Sequence, residues 1–99
     1  MIVLEEKISP DPTLFVEKRD GRRVIFDVDK IDKALHKAAE KVMDVSPLVE
    51  KRLSTLIERI VAEIHSRFPQ GVKIYEIQNI VEHELLEAKE YALAEEYIT

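Results

Sequence analysis

Cysteine and tryptophan are absent from this chain, and glycine occurs only twice. Without cysteine neither a disulfide framework nor a thiolate zinc site can form, which fits a reducing compartment. No stretch approaches the ~20 consecutive apolar residues that a membrane-spanning helix needs. The start, Met1-Ile2-Val3-Leu4-Glu5-Glu6-Lys7, reaches acidic residues after four positions and lacks the long apolar run of a signal peptide. The expectation is a soluble, cytoplasmic protein with no membrane partner. Positive charge is in the minority, with 15 Lys and Arg against 20 Asp and Glu, for a net charge of -5 and a pI near 5.2. Proteins that bind nucleic acid usually present a broad basic surface, so this balance argues against such a partner. Catalytic signatures are missing as well: no glycine-rich phosphate loop and no legible nucleophile–base pairing.

What remains is enough for one small domain: 99 residues, 45% hydrophobic and 35% charged. Residues 1–13 read as an N-terminal arm, because Ser9-Pro10-Asp11-Pro12 removes backbone donors and favours extended chain. The folded domain is expected over 14–99. Leu14 to Lys18 and Arg22 to Phe26 are β-prone and flank Asp20-Gly21, a pair suited to a type I′ hairpin turn with φ > 0 at both central residues. Asp27 then offers an N-cap, and Val28, Ile31, Leu35, Ala38 and Val42 form one apolar stripe of a helix over Val28 to Met43. Ser46-Pro47 opens a second helix running to about Phe68, with Leu53, Leu56, Ile57, Ile60, Val61, Ile64 and Phe68 as its core face. Pro69-Gln70-Gly71 ends it, and Val72-Lys73 is expected to add a third rung to the hairpin. A third helix is predicted from Ile74 to about Leu86, through Ile77, Ile80, Val81 and Leu85. A fourth is predicted from about Glu90 to Ile98, burying Tyr91, Ala94 and Ile98. The fold class is α+β, mostly α: a four-helix bundle capped by a three-stranded antiparallel sheet.

Against the acidic background, Lys18, Arg19, Arg22 and Arg23 crowd the hairpin tip, with Lys30 one turn into the first helix. Arginine offers bidentate contacts to phosphate and lysine a point charge, while free N–H groups at the start of the helix favour an anion nearby. Two readings stand side by side: a compact polyanion held by the hairpin, or a solvated edge whose charges prevent aggregation. The acids gather elsewhere, with seven glutamates between Glu76 and Glu96 against Lys89 alone. Glu82, His83 and Glu84 do not converge on one ion from a helix, so no protein-ligated metal is expected and the run reads as a solvated face that meets a basic partner. His36 and His65 fall on predicted polar helical faces.

The hairpin segment, Val16-x-Lys18-Arg19-Asp20-Gly21 followed by Phe26-Asp27 and Lys30-Ile31, resembles the opening motif of the ATP-cone domain. The resemblance continues through Val72-Lys73-Ile74-x-Glu76-Ile77-x-x-Ile80-Val81-Glu82 and Ala94-x-x-Tyr97-Ile98, covering about Phe15 to Thr99. It implies a nucleotide-sensing regulatory domain of ribonucleotide reductases and of the reductase repressor, with ATP or dATP, accompanied by Mg2+, as effector. Lys18 and Arg19 would hold phosphates, and Val16 would line the base pocket. Asp27 and Lys30 would approach from the first helix, Ile31 and Ile77 would be apolar walls, and Gln78 would lie near the sugar. Gln78 stands where some members carry histidine, and Val24 where some reductases carry a base-reading glutamate.

By the same resemblance the fragment is not itself an enzyme. Its N-terminal arm and glutamate-rich helices are most similar to anaerobic, glycyl-radical ribonucleoside-triphosphate reductases, and the missing basic residues after the Tyr-Ile step suggest an excised domain that binds nucleotide more weakly than its parent. The implied partners are the parent's catalytic domain and further cones in a homo-oligomer. The alternatives are the cone of a nucleotide-responsive transcriptional regulator, a DNA-associated module, and an assembly domain indifferent to nucleotide.

Overall fold

The computed structural model describes residues 14–98; the expected arm at 1–13 lies outside the described residues. Three short strands and four helices follow in the order β1 (Phe15–Glu17), β2 (Arg23–Ile25), α1 (Val28–Val42), α2 (Pro47–Arg67), β3 (Gly71–Lys73), α3 (Ile74–Glu87) and α4 (Tyr91–Ile98). The chain is thus mostly helical, α+β, as the apolar periodicity requires.

The helix starts follow from local chemistry. Asp27 caps α1, its carboxylate accepting from the Asp29 N–H at 3.0 Å, and Ser46 caps α2 ahead of Pro47. At α3 the Glu76 carboxylate reaches back to the Lys73 N–H at 2.9 Å. That is half of a capping box, since the Lys73 ammonium has no acceptor with which to complete it. The end of α3 is a Schellman motif: the Glu90 N–H bonds Leu85 O at 2.9 Å and the Lys89 N–H bonds Leu86 O at 3.0 Å. Lys89 occupies the left-handed position there, with φ 62°.

The sheet is mixed, not antiparallel. β1 is central in the order β2-β1-β3 and pairs antiparallel with β2 (Val16 opposite Val24) but parallel with β3 (Val16 opposite Val72). The connection explains the difference. After the α1–α2 crossover the chain re-enters beside Phe15, opposite Gly71, and so runs along β1 in the same direction; parallel pairing requires such a long crossover. Sequence periodicity shows that a third strand exists without showing from which end it enters.

The hairpin turn also differs from expectation. Gly21 has φ 88°, and no other residue between the strands has positive φ. The Gly21 N–H bonds Lys18 O at 2.9 Å and the Lys18 N–H bonds Arg22 O at 2.8 Å. The connection is a three-residue loop, a type I turn followed by a left-handed glycine, rather than a two-residue type I′ turn.

The core is continuous across all elements, with Leu35, Ile60, Ile64, Val81 and Leu85 fully inaccessible to solvent. Of the stripe expected on α1, Ile31, Leu35 and Ala38 are buried while Val28 and Val42 are half-buried at the ends. The α3 positions Ile77, Ile80, Val81 and Leu85 are all buried. On α4 the expectation holds for Ala94 alone: Tyr91 and Ile98 are 60% and 58% exposed, and Leu93 is buried beside Ala94 instead. The left-handed step at Lys89 resets the rotation of α4, so that Leu93, Ala94 and Tyr97 turn inward. The acidic run is likewise not one solvated face. Glu84 and Glu90 side chains are 12% and 13% exposed and meet Arg59 and Arg52 of α2. His65 is not on a purely polar face either; its ring meets Phe26 edge-on at 6.0 Å.

Candidate functional site

The two strands of the hairpin carry Val16 and Val24 in register on one face, Val16 buried and Val24 partly so. Between this face and the first turns of α1 and α3 lies a cavity of about 170 Å³. Val16, Lys18, Asp27, Lys30, Ile31, Ile77 and Gln78 all line it. Arg19 does not. It belongs with Asp20 and Arg22 to an adjoining cleft of about 340 Å³, which shares Lys18, Ile74 and Gln78 with the cavity. The site is therefore bipartite: an apolar chamber under the hairpin and a charged mouth at its tip.

The charges at that mouth are not equivalent. The Asp20 carboxylate binds the Arg22 guanidinium, Nε to Oδ2 at 2.7 Å, and accepts from the Arg22 backbone N–H at 3.0 Å. These bonds hold its carboxyl below the usual carboxylate range, the backbone N–H contributing most. Arg23 lies on the outer face, its guanidinium 4.7 Å from the Phe15 ring centroid. Lys18 and Arg19 at the hairpin, and Lys30 on the cavity wall, form no ion pair among the described residues and are the cations left available at the site. At the base of α1 the Asp27 carboxylate accepts from the Asp29 N–H, so one donor of that helix terminus is already taken and a carboxylate sits beside it. Among the described residues no group of three or more His, Asp or Glu side chains is placed to hold a metal ion.

Residues 14–99 match the model of the ATP cone domain. The chain belongs to the ATP-cone family. This is a nucleotide-binding regulatory domain found in ribonucleotide reductases and in the NrdR repressor. The cone is 37% identical over 93 residues to the ribonucleoside-diphosphate reductase subunit alpha of Chlamydia muridarum, and 38% identical over 93 residues to that of Chlamydia trachomatis serovar D. Each alignment covers 87% of this chain and 9% of the reductase subunit. The cone is also 37% identical over 82 residues to the transcriptional repressor NrdR of Carboxydothermus hydrogenoformans, covering 83% of this chain and 51% of the repressor.

Four further side chains of the cone line the cavity without having been given a role there from the sequence: Ile25, Phe26, Ile74 and Tyr97. Phe26 directly precedes the α1 cap and Ile74 opens α3, so both are brought in by the elements that carry the predicted residues. Tyr97 arrives from α4 and also lines a groove with Ala34, Lys37, Ala38, Lys41 and Glu96. Its place in the Ala94-x-x-Tyr97-Ile98 block was the available signal. Burial raises its phenol above the ordinary tyrosine range, and its hydroxyl makes no hydrogen bond among the described residues.

Proposed function

We propose that this cone is an allosteric sensor of ATP and dATP that sets the overall activity of a ribonucleotide reductase. The observation that carries the reading is the joining of an apolar chamber to a mouth holding two uncommitted cations, Lys18 and Arg19. A nucleoside triphosphate has that same division, a flat apolar base at one end and a polyanion at the other. In this reading the base lies against Val16, Ile31 and Ile77, and the triphosphate runs out to Lys18 and Arg19. Gln78, shared by chamber and mouth, stands where sugar and phosphate meet. Mg2+ accompanies the phosphates and is held by them, not by a cluster of protein side chains.

Regulation requires different effector affinities in an active and an inhibited assembly, because equal affinity shifts nothing. ATP and dATP differ by one hydroxyl, so that group and the packing around it supply a coupling of about 1–3 kcal/mol. The catalytic domain of the parent reductase and neighbouring cones are the partners through which this coupling acts, and we place that parent among the anaerobic triphosphate reductases. A second reading, the nucleotide-responsive part of a transcriptional regulator, draws on the likeness to NrdR. DNA binding by the full parent chain that changes on exchange of ATP for dATP would favour it.

Calorimetric titration of ATP, dATP and GTP into this domain tests the sensor reading. Adenine nucleotides are expected to bind, and the double change Lys18→Ala/Arg19→Ala is expected to weaken them by at least tenfold, the loss of two charge-assisted contacts. Undiminished affinity in that variant would refute the phosphate assignment.

A further inference from the structure

Resting on the sensor reading, we propose that Tyr97 is a specificity-determining residue whose hydroxyl hydrogen-bonds the nucleoside end of the bound nucleotide, making α4 part of the site. Three features of the structure lead there. The chamber has two distinct ends. One opens into the hairpin-tip cleft with Lys18 and Arg19, and the other meets the groove between α1 and α4 at Tyr97. Charge orients the ligand between them. The two cations at the hairpin draw the phosphates, while the α1 end contributes one cation, Lys30, together with one carboxylate, Asp27, to the chamber lining. The nucleoside is left on the Tyr97 side.

The polar inventory of the chamber narrows the choice of reader. Asp27 is committed to its cap, and Lys18 and Gln78 are shared with the phosphate cleft. Tyr97 is half-buried on the chamber wall, and its hydroxyl, which is not sealed from solvent, has no hydrogen-bond partner among the described residues. Position is fixed by packing: Leu93 and Ala94 are 1% and 2% exposed and anchor α4. Tyr97, four and three residues further along, is thereby held on the same inward face. A ligand in the chamber gives the hydroxyl the partner it lacks.

The test compares ADP and ATP binding in the unmodified protein, in Tyr97→Phe, and in Lys18→Ala/Arg19→Ala. Tyr97→Phe keeps the ring and removes one hydrogen bond, so it is expected to weaken both nucleotides by the same factor, about threefold to tenfold. The hairpin variant is expected to lose more with ATP than with ADP. In the unmodified protein, ATP is also expected to perturb the tyrosine ultraviolet absorption. That signal should vanish in Tyr97→Phe, because Tyr75 and Tyr91 are 52% and 60% exposed and neither lines the chamber.

Tyr97→Phe binding both nucleotides as tightly as the unmodified protein would overturn the assignment. So would a loss that grows with phosphate number, which would move Tyr97 to the phosphate end. Should the variant fail to fold, an ATP-bound unmodified protein with no tyrosine perturbation overturns it equally. Failure of the unmodified protein to bind any nucleotide is a different result and removes the sensor reading itself.

Discussion

Asp20 binds the Arg22 side chain and backbone together, so one of the hairpin's cations is withheld from the cleft in which it lies. Asp20→Asn keeps an oxygen to accept from the Arg22 N–H and so preserves the turn, but it removes the carboxylate charge. We expect ATP to bind more tightly to that variant in low salt, with the gain fading as ionic strength shortens the Debye length to about 10 Å at 0.1 M. Titrations at two salt concentrations measure it. Lys89 carries a different local cost, an ordinary side chain at φ 62° in the Schellman turn. Glycine meets no steric penalty there, although it gives the unfolded chain more freedom. Lys89→Gly is expected to stabilise the domain by about 0.5–1 kcal/mol, read as a higher denaturant midpoint. The basic cluster at the hairpin was legible in the sequence because charge is carried by residue type. Its division into a neutralised Arg22, an outward Arg23 and an available Lys18 and Arg19 was not. That division depends on the turn geometry and on which face each strand residue takes.

Helices α1 and α2 are joined by a contact that periodicity does not reveal. His36 on α1 sets Nδ1 2.7 Å from Asp32 Oδ1 and 3.0 Å from Asp32 O, while Nε2 meets the Glu50 carboxylate on α2. Both ring nitrogens face acceptors, and only the imidazolium can donate from both. The hydrogen bond to Glu50, with the Asp32 carbonyl next, raises the His36 pKa above its ordinary value. A raised histidine contributes stability in full below its unfolded pKa of about 6.5, and that contribution is lost as pH rises through the higher folded value. Melting temperatures are therefore expected to fall as pH rises above about 6.5 and through the higher folded value, and His36→Asn should flatten the decline. Helix identity and the caps at Asp27 and Ser46 were readable because they rest on neighbours in sequence. The parallel entry of β3, the three-residue hairpin loop and the rotation of α4 were not. Each is set by where a distant segment returns, or by one backbone angle at Gly21 or Lys89.

At the scale of the whole molecule, the cavity is the place where the sheet and the helices α1, α3 and α4 all meet, and the rest of the architecture keeps those walls together. Arg52 of α2 donates through Nε to Glu90 at 3.0 Å, and Arg59 lies 3.4 Å from Glu84, lashing α2 to α3 and to the start of α4. Lys41 lies 3.6 Å from Glu96 and joins α1 to α4. With its core continuous across every element, the domain is expected to unfold as one cooperative unit, as most domains of this size do. A ligand that touches several walls then stabilises the entire unit by mass action. At a free ATP concentration one hundred times its dissociation constant the gain is about 2.7 kcal/mol. In a domain of 60–100 residues that corresponds to a rise in melting temperature of roughly 10–20 °C. The melt should remain a single transition. At the same ATP concentration Lys18→Ala/Arg19→Ala should lose most of the rise, since its higher dissociation constant leaves the site less saturated. A biphasic melt, in which the helices hold while the hairpin and its cavity melt first, would show instead that nucleotide steadies the hairpin alone.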